Sequence, residues 1–268
     1  MRSIGKICSV LGYSRQGYYK RLEVENRRIE EEKRVVSAVR FLRQKQPRVG
    51  CRKLQKMLES QGVMIGRDRL FRVLRKRKML VIKKRRNIRT TQSYHRFRTY
   101  KNLVKGRPAQ SPDKVFVSDI TYVDTMEGYS YLSLITDQYS RKIVGYSLSK
   151  SLSVEGSMKA LRMALKGVSE PSKLIHHSDR GIQYCCKAYT DLLKSNSVRI
   201  SMTEENHVYE NALAERVNGI LKDEFMLGEK LQSFNVARKM VREAVNTYNN
   251  ERLHMALDYK TPERKYAA

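Results

Sequence analysis

The stretch KVFVSDITYVDT, residues 114–125, is rich in β-branched and aromatic residues and alternates apolar with polar side chains. This composition predicts a β-strand. Two runs of the same kind follow, separated by the turn-like residues QYS, and they are YSYLSLITD (129–137) and RKIVGYSLS (141–149). Three consecutive strands at this spacing predict an antiparallel meander.

Beyond the meander, helical periodicity alternates with short apolar runs. The predicted elements are, in order, a helix SVEGSMKALRMALKGV (153–168), a strand KLIHH (173–177), a helix AYTDLLKSN (188–196), a strand VRISM (198–202) and a helix NALAERVNGILKDEF (211–225). The order β-β-β-α-β-α-β-α is that of a ribonuclease H-like fold, an α/β fold with a mixed sheet and helices on both faces. Such a fold places the ends of the first and fourth strands side by side.

Three carboxylates fall at positions that this fold brings together. Asp119 lies in the first strand, Asp179 follows the fourth strand in the stretch HHSDRGIQY (176–184), and Glu215 lies on the last of these helices. Glu215 points away from the predicted buried stripe of its helix. It is in line with three polar residues at helical spacing, Asn211, Asn218 and Lys222. A solvent-exposed glutamate is the ordinary interpretation of Glu215 alone, and a site shared with the two aspartates is the alternative.

Carboxylates that converge on one sheet edge repel one another unless a cation neutralises them. Hard oxygen ligands select Mg²⁺ or Mn²⁺. Two such ions can activate an attacking oxygen and stabilise a leaving one in phosphodiester chemistry. We therefore predict that Asp119, Asp179 and Glu215 are catalytic residues and ligands of Mg²⁺ or Mn²⁺, with two ions at the site.

The positive charge of the chain is concentrated before this sheet. The whole chain has 55 Lys and Arg against 27 Asp and Glu, a formal net charge of +28. Residues 1–112 hold 33 of the basic and 7 of the acidic residues, whereas residues 113–268 hold 22 and 20. An excess of this size is more than solubility needs and is typical of polyanion binding. We predict that the N-terminal part binds nucleic acid.

The basic part contains a helix-turn-helix pattern. Apolar residues recur at helical spacing before Gly62 and after Gly66, which predicts two amphipathic helices joined by a tight turn. The second helix carries a cationic stripe opposite its apolar face, formed by Arg69, Arg72 and Lys76. Such a stripe suits contact with DNA phosphates, and the alternative is an ordinary solvated face. Upstream, residues 7–21 predict a second small helix pair with Ser14 as N-cap.

The stretch KGRPAQSPDK (105–114) carries Gly, two Pro and Ser, which are typical of a linker. The predicted domains are a basic helical region over 1–82, a basic linker over 83–112 and an α/β domain with a C-terminal helix over 113–268. The linker contains three aromatic residues among its arginines, Tyr94, Phe97 and Tyr100. Such a segment either tracks a DNA strand by stacking and charge or only connects the domains.

Composition also excludes whole classes of protein. No apolar run approaches the roughly 20 residues that span a bilayer, and the N-terminus lacks a signal-peptide core. The chain has four cysteines, Cys8, Cys51, Cys185 and Cys186. Their spacing contains no C-x-x-C pair and is not that of a disulfide-rich secreted protein. We therefore expect a protein of a reducing cytosol, with no membrane segment and no zinc site.

Other polar residues near the carboxylates have alternative roles. His176 and His177 either orient Asp179 or pack at the strand end. Arg180 and Gln183 are candidates for holding a DNA phosphate near the site. Near the C-terminus, a structural bracket against the core is favoured over DNA contact for Asn249, Arg252 and His254.

Five stretches of the chain resemble the integrase core of bacterial transposases, specifically the second-frame product of the family named for insertion sequence three. They are VFVSDITYV, YLSLITDQYSRKIVGYSLS, HHSDRGIQY, ENALAERVNGILKDEF and YNNERLHMALDYKTPERKY. The segment 27–82 also resembles the helix-turn-helix-like module of that family. Such enzymes belong to the DDE superfamily, which includes retroviral integrases. The resemblance therefore implies an integrase catalytic core preceded by an all-α basic domain.

The resemblance further implies a Mg²⁺-dependent DNA transposase that cleaves DNA and transfers strands at the ends of its element. It implies Asp119, Asp179 and Glu215 as the metal ligands and Lys222 as a DNA contact, with Asn218 as a further candidate beside it. The expected partners are double-stranded DNA from the terminal repeats and the target, further copies of the chain in an oligomer on DNA, and an upstream-frame product as fusion or partner. The expected location is the bacterial cytoplasm, at the nucleoid.

Two other functions are compatible with parts of the sequence. A non-catalytic DNA-binding repressor, or an incomplete transposase fragment that occupies element ends, would use the basic half without needing all three acids. A ribonuclease H-like nuclease acting on RNA–DNA hybrids would explain the α/β domain but not the basic region before it.

Overall fold

The structure of the protein, a computed structural model, describes residues 4–82, 97–204 and 211–268. Contacts within the chain divide the described residues into two compact units. The first unit comprises residues 4–44 and 49–82, and the second comprises residues 45–48 and the described part of 97–268.

The first unit is α-helical. Its helices are α1 (Ile4–Val10), α2 (Arg15–Lys45), α3 (Cys51–Ser60) and α4 (Arg67–Lys76). The two predicted amphipathic helices are α3 and α4, and Gly62 between them has a φ of +77°, a conformation that glycine adopts readily. The apolar faces of α3 and α4 pack against one stretch of α2 around Val36 and Val39.

The upstream helix pair differs from the prediction in length. Ser14 caps α2 as predicted, since its Oγ accepts a hydrogen bond of 3.0 Å from the backbone N–H of Gly17. However, α2 continues for 31 residues, to Lys45. Between Gly17 and Pro47 the sequence has no Gly or Pro and is rich in Glu, Lys and Arg, which favour helix. The prediction of a small second helix was wrong because nothing in the sequence ends the helix before Pro47.

The second unit is built on a five-stranded mixed sheet. Its strands are β1 (Val115–Thr125), β2 (Gly128–Asp137), β3 (Ile143–Ser149), β4 (Ile175–Ser178) and β5 (Arg199–Met202). The spatial order is β3-β2-β1-β4-β5. The first three strands form the predicted antiparallel meander, whereas β4 is parallel to β1 and β5 is parallel to β4. The predicted mixed α/β fold is confirmed.

Helices cover both faces of this sheet. One face carries α5 (Val154–Leu165), α6 (Ile182–Cys185) and α7 (Lys187–Ser195), and the other carries α8 (Ala212–Glu224) and α9 (Phe234–Asn250). The short helix α10 (Pro262–Tyr266) follows. The first face buries a cluster that includes Phe116, Ile135, Leu161 and Tyr189, and the second buries one that includes Val123, Leu134, Val217 and Val241. Among the described residues, no helix is both long and apolar enough to cross a membrane.

Part of the segment predicted as a linker contacts the second unit. The backbone N–H of Leu103 donates to Ser201 Oγ at 2.9 Å, and that of Ala109 donates to Gln138 Oε1 at 2.8 Å. Tyr100 packs against the apolar cluster beneath α5 and α7. Tyr94, the first of the three predicted aromatic residues, lies outside the described residues.

Candidate active site

Asp119 and Asp179 are neighbours because of the register between β1 and β4. The two strands run parallel, and their last paired residues are Ser118 and Ser178. The residue that follows each of these serines is an aspartate. Since adjacent strands lie about 4.8 Å apart, the two carboxylates emerge together where β4 ends. Asp119 continues in β1, whereas Asp179 begins a turn in which its Oδ1 accepts the backbone N–H of Gly181 at 3.0 Å.

Helix α8 is attached to the same edge by two asparagines. Asn211, directly before α8, donates from Nδ2 to the carbonyl oxygen of Ser118 at 3.0 Å. Asn218, two turns further on, donates from Nδ2 to Asp119 Oδ2 at 2.7 Å. Both asparagines are buried. Asn211 and Asn218, two of the polar residues predicted to lie opposite the buried stripe of α8, therefore face β1. The carbonyl oxygen of Ser118 and the carboxylate of Asp119 accept their hydrogen bonds.

Glu215 lies on this line, one turn after Asn211 and one turn before Asn218. Its side chain is exposed. Partial burial, and secondly the negative charge of Asp179, raise the pKa of Glu215 above its usual value. The fold therefore brings the third predicted carboxylate within electrostatic range of the other two.

The pKa of Asp119 is raised as well. Its carboxyl group is enclosed on most sides, and this burial, followed by the charge of Asp179, raises the pKa of Asp119 to about 7. Two donors act in the opposite direction, the amide of Asn218 on Oδ2 and the backbone N–H of Ile120 on Oδ1 at 2.9 Å. Glu215 adds a smaller effect that raises the pKa. The three carboxylates thus form one coupled group, in which Asp119 keeps a proton at mildly acidic pH.

This donor set suits a hard divalent cation, since carboxylate oxygens are its preferred ligands and a cation would relieve the mutual repulsion. Within 4–82, 97–204 and 211–268, however, no three His, Cys, Asp or Glu side chains lie close enough to hold one ion as they stand. Asp119 is fixed by two hydrogen bonds, whereas Glu215 is exposed. An ion held by all three carboxylates would therefore require at least one of their side chains to move.

The two histidines before Asp179 are core residues. His176 Nε2 lies 2.6 Å from Ser118 Oγ and 2.9 Å from the hydroxyl of Tyr189, and burial lowers the pKa of His176 to about 3. His177 Nδ1 lies 2.9 Å from Ser201 Oγ. Both side chains are at most 1% exposed. Of the two predicted roles, packing at the strand end describes both residues.

Three predicted DNA contacts of this unit have protein partners. Arg180 Nε donates to the carbonyl oxygen of Thr203 at 2.8 Å, and Gln183 Nε2 donates to that of Leu152 at 3.0 Å. Lys222 Nζ lies 5.0 Å from the centre of the exposed Tyr122 ring. The contact of these side chains with DNA stays a prediction. For Asn218, also predicted to contact DNA, the amide nitrogen is already used by Asp119.

The predicted bracket near the C-terminus is confirmed. The side-chain amide of Asn249 both accepts from the backbone N–H of Ile143 and donates to its carbonyl oxygen, at 2.9 Å each. Arg252 donates twice to Glu224, at 2.8 and 2.9 Å, and its Nη1 lies 2.7 Å from His254 Nε2. These bonds connect α9 and the residues after it to β3 and α8.

In the first unit, the predicted cationic stripe on α4 faces acidic residues of α2. Arg69 pairs with Glu31 at 2.6 Å and Lys76 with Glu32 at 3.4 Å, while Arg72 is exposed. Ion pairs of largely exposed side chains contribute only about 0–1 kcal/mol, so these two pairs hold Arg69 and Lys76 weakly. The sequence did not predict these pairs because the length of α2 was not recognised.

Tyr184, the last residue of the stretch HHSDRGIQY (176–184), was not among the residues predicted from the sequence. Its side chain is 3% exposed, and its hydroxyl makes no hydrogen bond to the described residues. A tyrosine in a short helix gives no periodic signal. Only its position five residues after Asp179 could have drawn attention to it.

Comparison with protein families gives two matches. Residues 109–207 match one model described as Integrase core domain, and residues 196–262 match a second model with the same description. The two models together extend from the segment before β1 to the start of α10.

Two relatives are similar over nearly their whole length. The insertion element IS600 uncharacterized 31 kDa protein of Shigella sonnei is 36% identical over 262 residues, which cover 96% of this chain and 96% of that protein. Transposase InsF for insertion sequence IS3A of Escherichia coli K12 is 30% identical over 269 residues, which cover 98% of this chain and 93% of that protein.

Among solved structures, the catalytic core domain of HTLV-2 integrase in complex with magnesium, in a trimeric form, is similar in part. The alignment covers 59% of this chain and 98% of that one, with a TM-score of 0.48 and 17% sequence identity.

Proposed function

Since this chain belongs to the family of insertion-sequence transposases that have an integrase core domain and are named for IS3, we propose that Asp119, Asp179 and Glu215 are its catalytic metal ligands. The protein is a transposase. We infer that it cleaves phosphodiester bonds at the ends of its element and joins them to target DNA. A non-catalytic repressor is not favoured, because the similarity includes the whole integrase core.

The observation that carries this proposal is the parallel register of Ser118 with Ser178, which makes Asp119 and Asp179 neighbours at the end of β4. Glu215 is coupled electrostatically to both aspartates from the first turn of α8. A purely structural role would leave three mutually repelling acids without a benefit to stability.

In the proposed site, Asp119, Asp179 and Glu215 would hold Mg²⁺ or Mn²⁺ through carboxylate oxygens. When bound, divalent cations supply charge stabilisation for the attacking and leaving oxygens of a phosphodiester. The chain itself keeps Asp119 oriented through the N–H groups of Asn218 and Ile120. The raised pKa of Asp119 means that cation binding competes with a proton near neutral pH.

The remaining proposal concerns DNA. The first unit and the residues after it carry most of the positive charge, and Arg72 of α4 is exposed. Arg69 and Lys76 form ion pairs with Glu31 and Glu32, and both basic side chains remain exposed. We infer that these cations contact the backbone of double-stranded DNA, with Lys222 and Arg180 contacting DNA near the carboxylates. We also infer an oligomer of this chain on DNA, with an upstream-frame product as a further partner.

The proposal is tested by incubating the full chain with labelled duplexes copied from the DNA that flanks its reading frame, with Mg²⁺, with Mn²⁺ or with excess chelator. We expect cleaved and joined products only with a divalent cation, and none from Asp119→Asn, Asp179→Asn or Glu215→Gln. Asp124→Asn, a change of another acid on β1, is the matched control and should retain activity. Joining in excess chelator, or by the triad variants, would rule the metal site out.

A further inference from the structure

Tyr184 is a buried polar residue whose hydroxyl has no partner among the described residues. It lies on α6, where its ring packs edge-on against Tyr189 at 5.4 Å between centroids and tilted against His176 at 6.1 Å. The side chain is 3% exposed, and its hydroxyl makes no hydrogen bond to the described side chains or backbone. Buried hydroxyl groups in native proteins nearly always have a partner.

Tyr189, its neighbour, shows what a structural tyrosine does in the same core. Its ring is fully buried, and its hydroxyl lies 2.9 Å from His176 Nε2. That histidine also lies 2.6 Å from Ser118 Oγ. The two tyrosines have the same chemistry and nearly the same burial, but of the two only the Tyr189 hydroxyl has a hydrogen-bond partner among the residues that the structure describes. The difference calls for a separate role for the Tyr184 hydroxyl.

The position of Tyr184 is tied to that of Asp179. The turn that fixes the tyrosine also fixes Asp179, since the backbone N–H of Gly181 donates to Asp179 Oδ1 and the carbonyl of Gly181 accepts from Tyr184 N at 2.9 Å. Burial, then Tyr189, then the charges of Asp119 and Asp179 raise the pKa of Tyr184 well above its usual value. The phenol is therefore neutral at physiological pH and can donate a hydrogen bond. The charges of both carboxylates contribute to its raised pKa.

We propose that Tyr184 is a positioning residue of the acidic site, whose buried phenol donates a hydrogen bond through one ordered water to the carboxylate pair of Asp119 and Asp179. Ordered waters of this kind bridge buried polar groups that lack a direct partner. Tyr184 belongs to the apolar cluster on the sheet face that carries α6 and α7, whereas Asn218 donates to Asp119 from α8 on the other face. The aspartate pair is thus held from both sides. This inference rests on the proposed metal-binding role of the pair.

The alternative is that Tyr184 only fills space in the core. In that case phenylalanine would serve equally well, because it keeps the ring and its contacts with His176 and Tyr189. Tyr184→Phe removes only the hydroxyl, and Tyr189→Phe is the matched control that removes a hydroxyl bonded to His176 instead.

The experiment measures Mn²⁺ binding to the full chain by electron paramagnetic resonance of free Mn²⁺, together with the Tm of each metal-free protein. We expect Tyr184→Phe to weaken Mn²⁺ binding about three- to tenfold, the effect of losing one hydrogen bond to a charged site. We expect Tyr189→Phe to lower the Tm more than Tyr184→Phe does and to leave Mn²⁺ binding within about twofold of the wild type. Unchanged binding in Tyr184→Phe overturns the proposal, as does weakening in both variants in proportion to their loss of Tm.

Two further measurements separate this inference from the proposed function. Mn²⁺ binding that is absent from the wild type, or retained in Asp119→Asn and Asp179→Asn, would refute the metal site itself. A crystal structure of the metal-free wild type tests the bridge without any variant. A water within hydrogen-bond distance of the Tyr184 hydroxyl and of a carboxylate oxygen of either aspartate supports the proposal, and a hydroxyl bonded to another group overturns it.

Discussion

Asn218 Nδ2 donates a hydrogen bond of 2.7 Å to Asp119 Oδ2, and this bond joins the middle of α8 to β1 at the candidate active site. It acts against the burial and the neighbouring charge that raise the pKa of Asp119. The bond therefore has two consequences, one for the ionisation of Asp119 and one for the attachment of the helix.

Replacing Asn218 by Ala should raise the pKa of Asp119 further above 7, because the ionised carboxylate loses a donor. We expect the rising limb of the pH–activity profile for strand transfer to move to higher pH by about one unit, the effect of a hydrogen bond to a charged group. Asn211→Ala is the control, since Asn211 joins the same helix and strand through a backbone carbonyl. It should lower stability without moving the profile, and equal shifts in both variants would contradict the assigned role of Asn218.

The raised pKa of Asp119 also predicts a pH dependence of stability in the metal-free protein. The folded state holds this proton up to about pH 7, whereas the unfolded chain releases it near 3.8. The stabilising contribution is therefore complete below about pH 4 and is lost as the pH rises to about 7. Its upper limit is about 4 kcal/mol, at 1.36 kcal/mol for each pH unit.

Urea unfolding of wild type and Asp119→Asn between pH 4 and 8 measures this effect. The variant has no proton to lose at this position, so its free energy of unfolding should fall less steeply over that range. Glu215 and Asp137 also have raised pKa values and contribute a fall of the same sign to both proteins. Parallel curves for the two proteins would show that Asp119 ionises normally.

Asp179→Asn should give a folded protein that binds DNA and is inactive. Removing one of three repelling carboxylates relieves the metal-free site, so the Tm should stay equal or rise. Strand transfer should fall by about a hundredfold or more, since charge stabilisation at a transferring phosphate supplies several kcal/mol. Thermal melts, DNA gel shifts and strand-transfer assays on one preparation measure all three properties. Activity near that of the wild type would refute the assignment, and unfolding would indicate a structural role.

The ion pair of Arg69 with Glu31 makes opposite predictions for its two members. Arg69→Ala should weaken DNA binding by the full chain and reduce the slope of log affinity against log salt by about one. Glu31→Gln should strengthen binding, because Arg69 loses its protein partner. Glu59→Gln, which breaks the pair with Lys56 on α3, is the control. Fluorescence anisotropy at several salt concentrations measures the DNA affinity and its salt dependence. Equal effects of Glu31→Gln and Glu59→Gln would contradict a role of Arg69 in DNA binding.

The pair of Arg252 with Glu224 predicts a large effect on stability. The arginine side chain is 7% exposed and makes two hydrogen bonds to the glutamate. Arg252→Ala removes this buried ion pair and its two hydrogen bonds and should lower the free energy of unfolding by about 3–5 kcal/mol. Lys142→Ala breaks a more exposed pair with Glu263 and should cost about 1 kcal/mol or less. Denaturant unfolding of both variants compares them, and similar losses would show that burial does not matter here.

The sequence by itself determined the order of the strands and helices, because apolar spacing within one segment is a local property. It also determined which segments are basic and which residues are candidates for the acidic site. It did not determine the length of α2, whose residues before Val35 are not buried in a core and which continues because no Gly or Pro interrupts it between Gly17 and Pro47.

Only the tertiary structure decided the register of β1 with β4 and the docking of α8. Backbone pairing between segments about 60 residues apart puts Ser118 beside Ser178, and a slip by one residue would turn Asp179 to the opposite face. The burial of Asn211 and Asn218 depends on that docking, since both side chains donate hydrogen bonds to β1. The spacing of apolar residues within one segment gives no information about contacts with another segment. The sequence therefore identified the carboxylates as candidates but not the hydrogen bonds that position them.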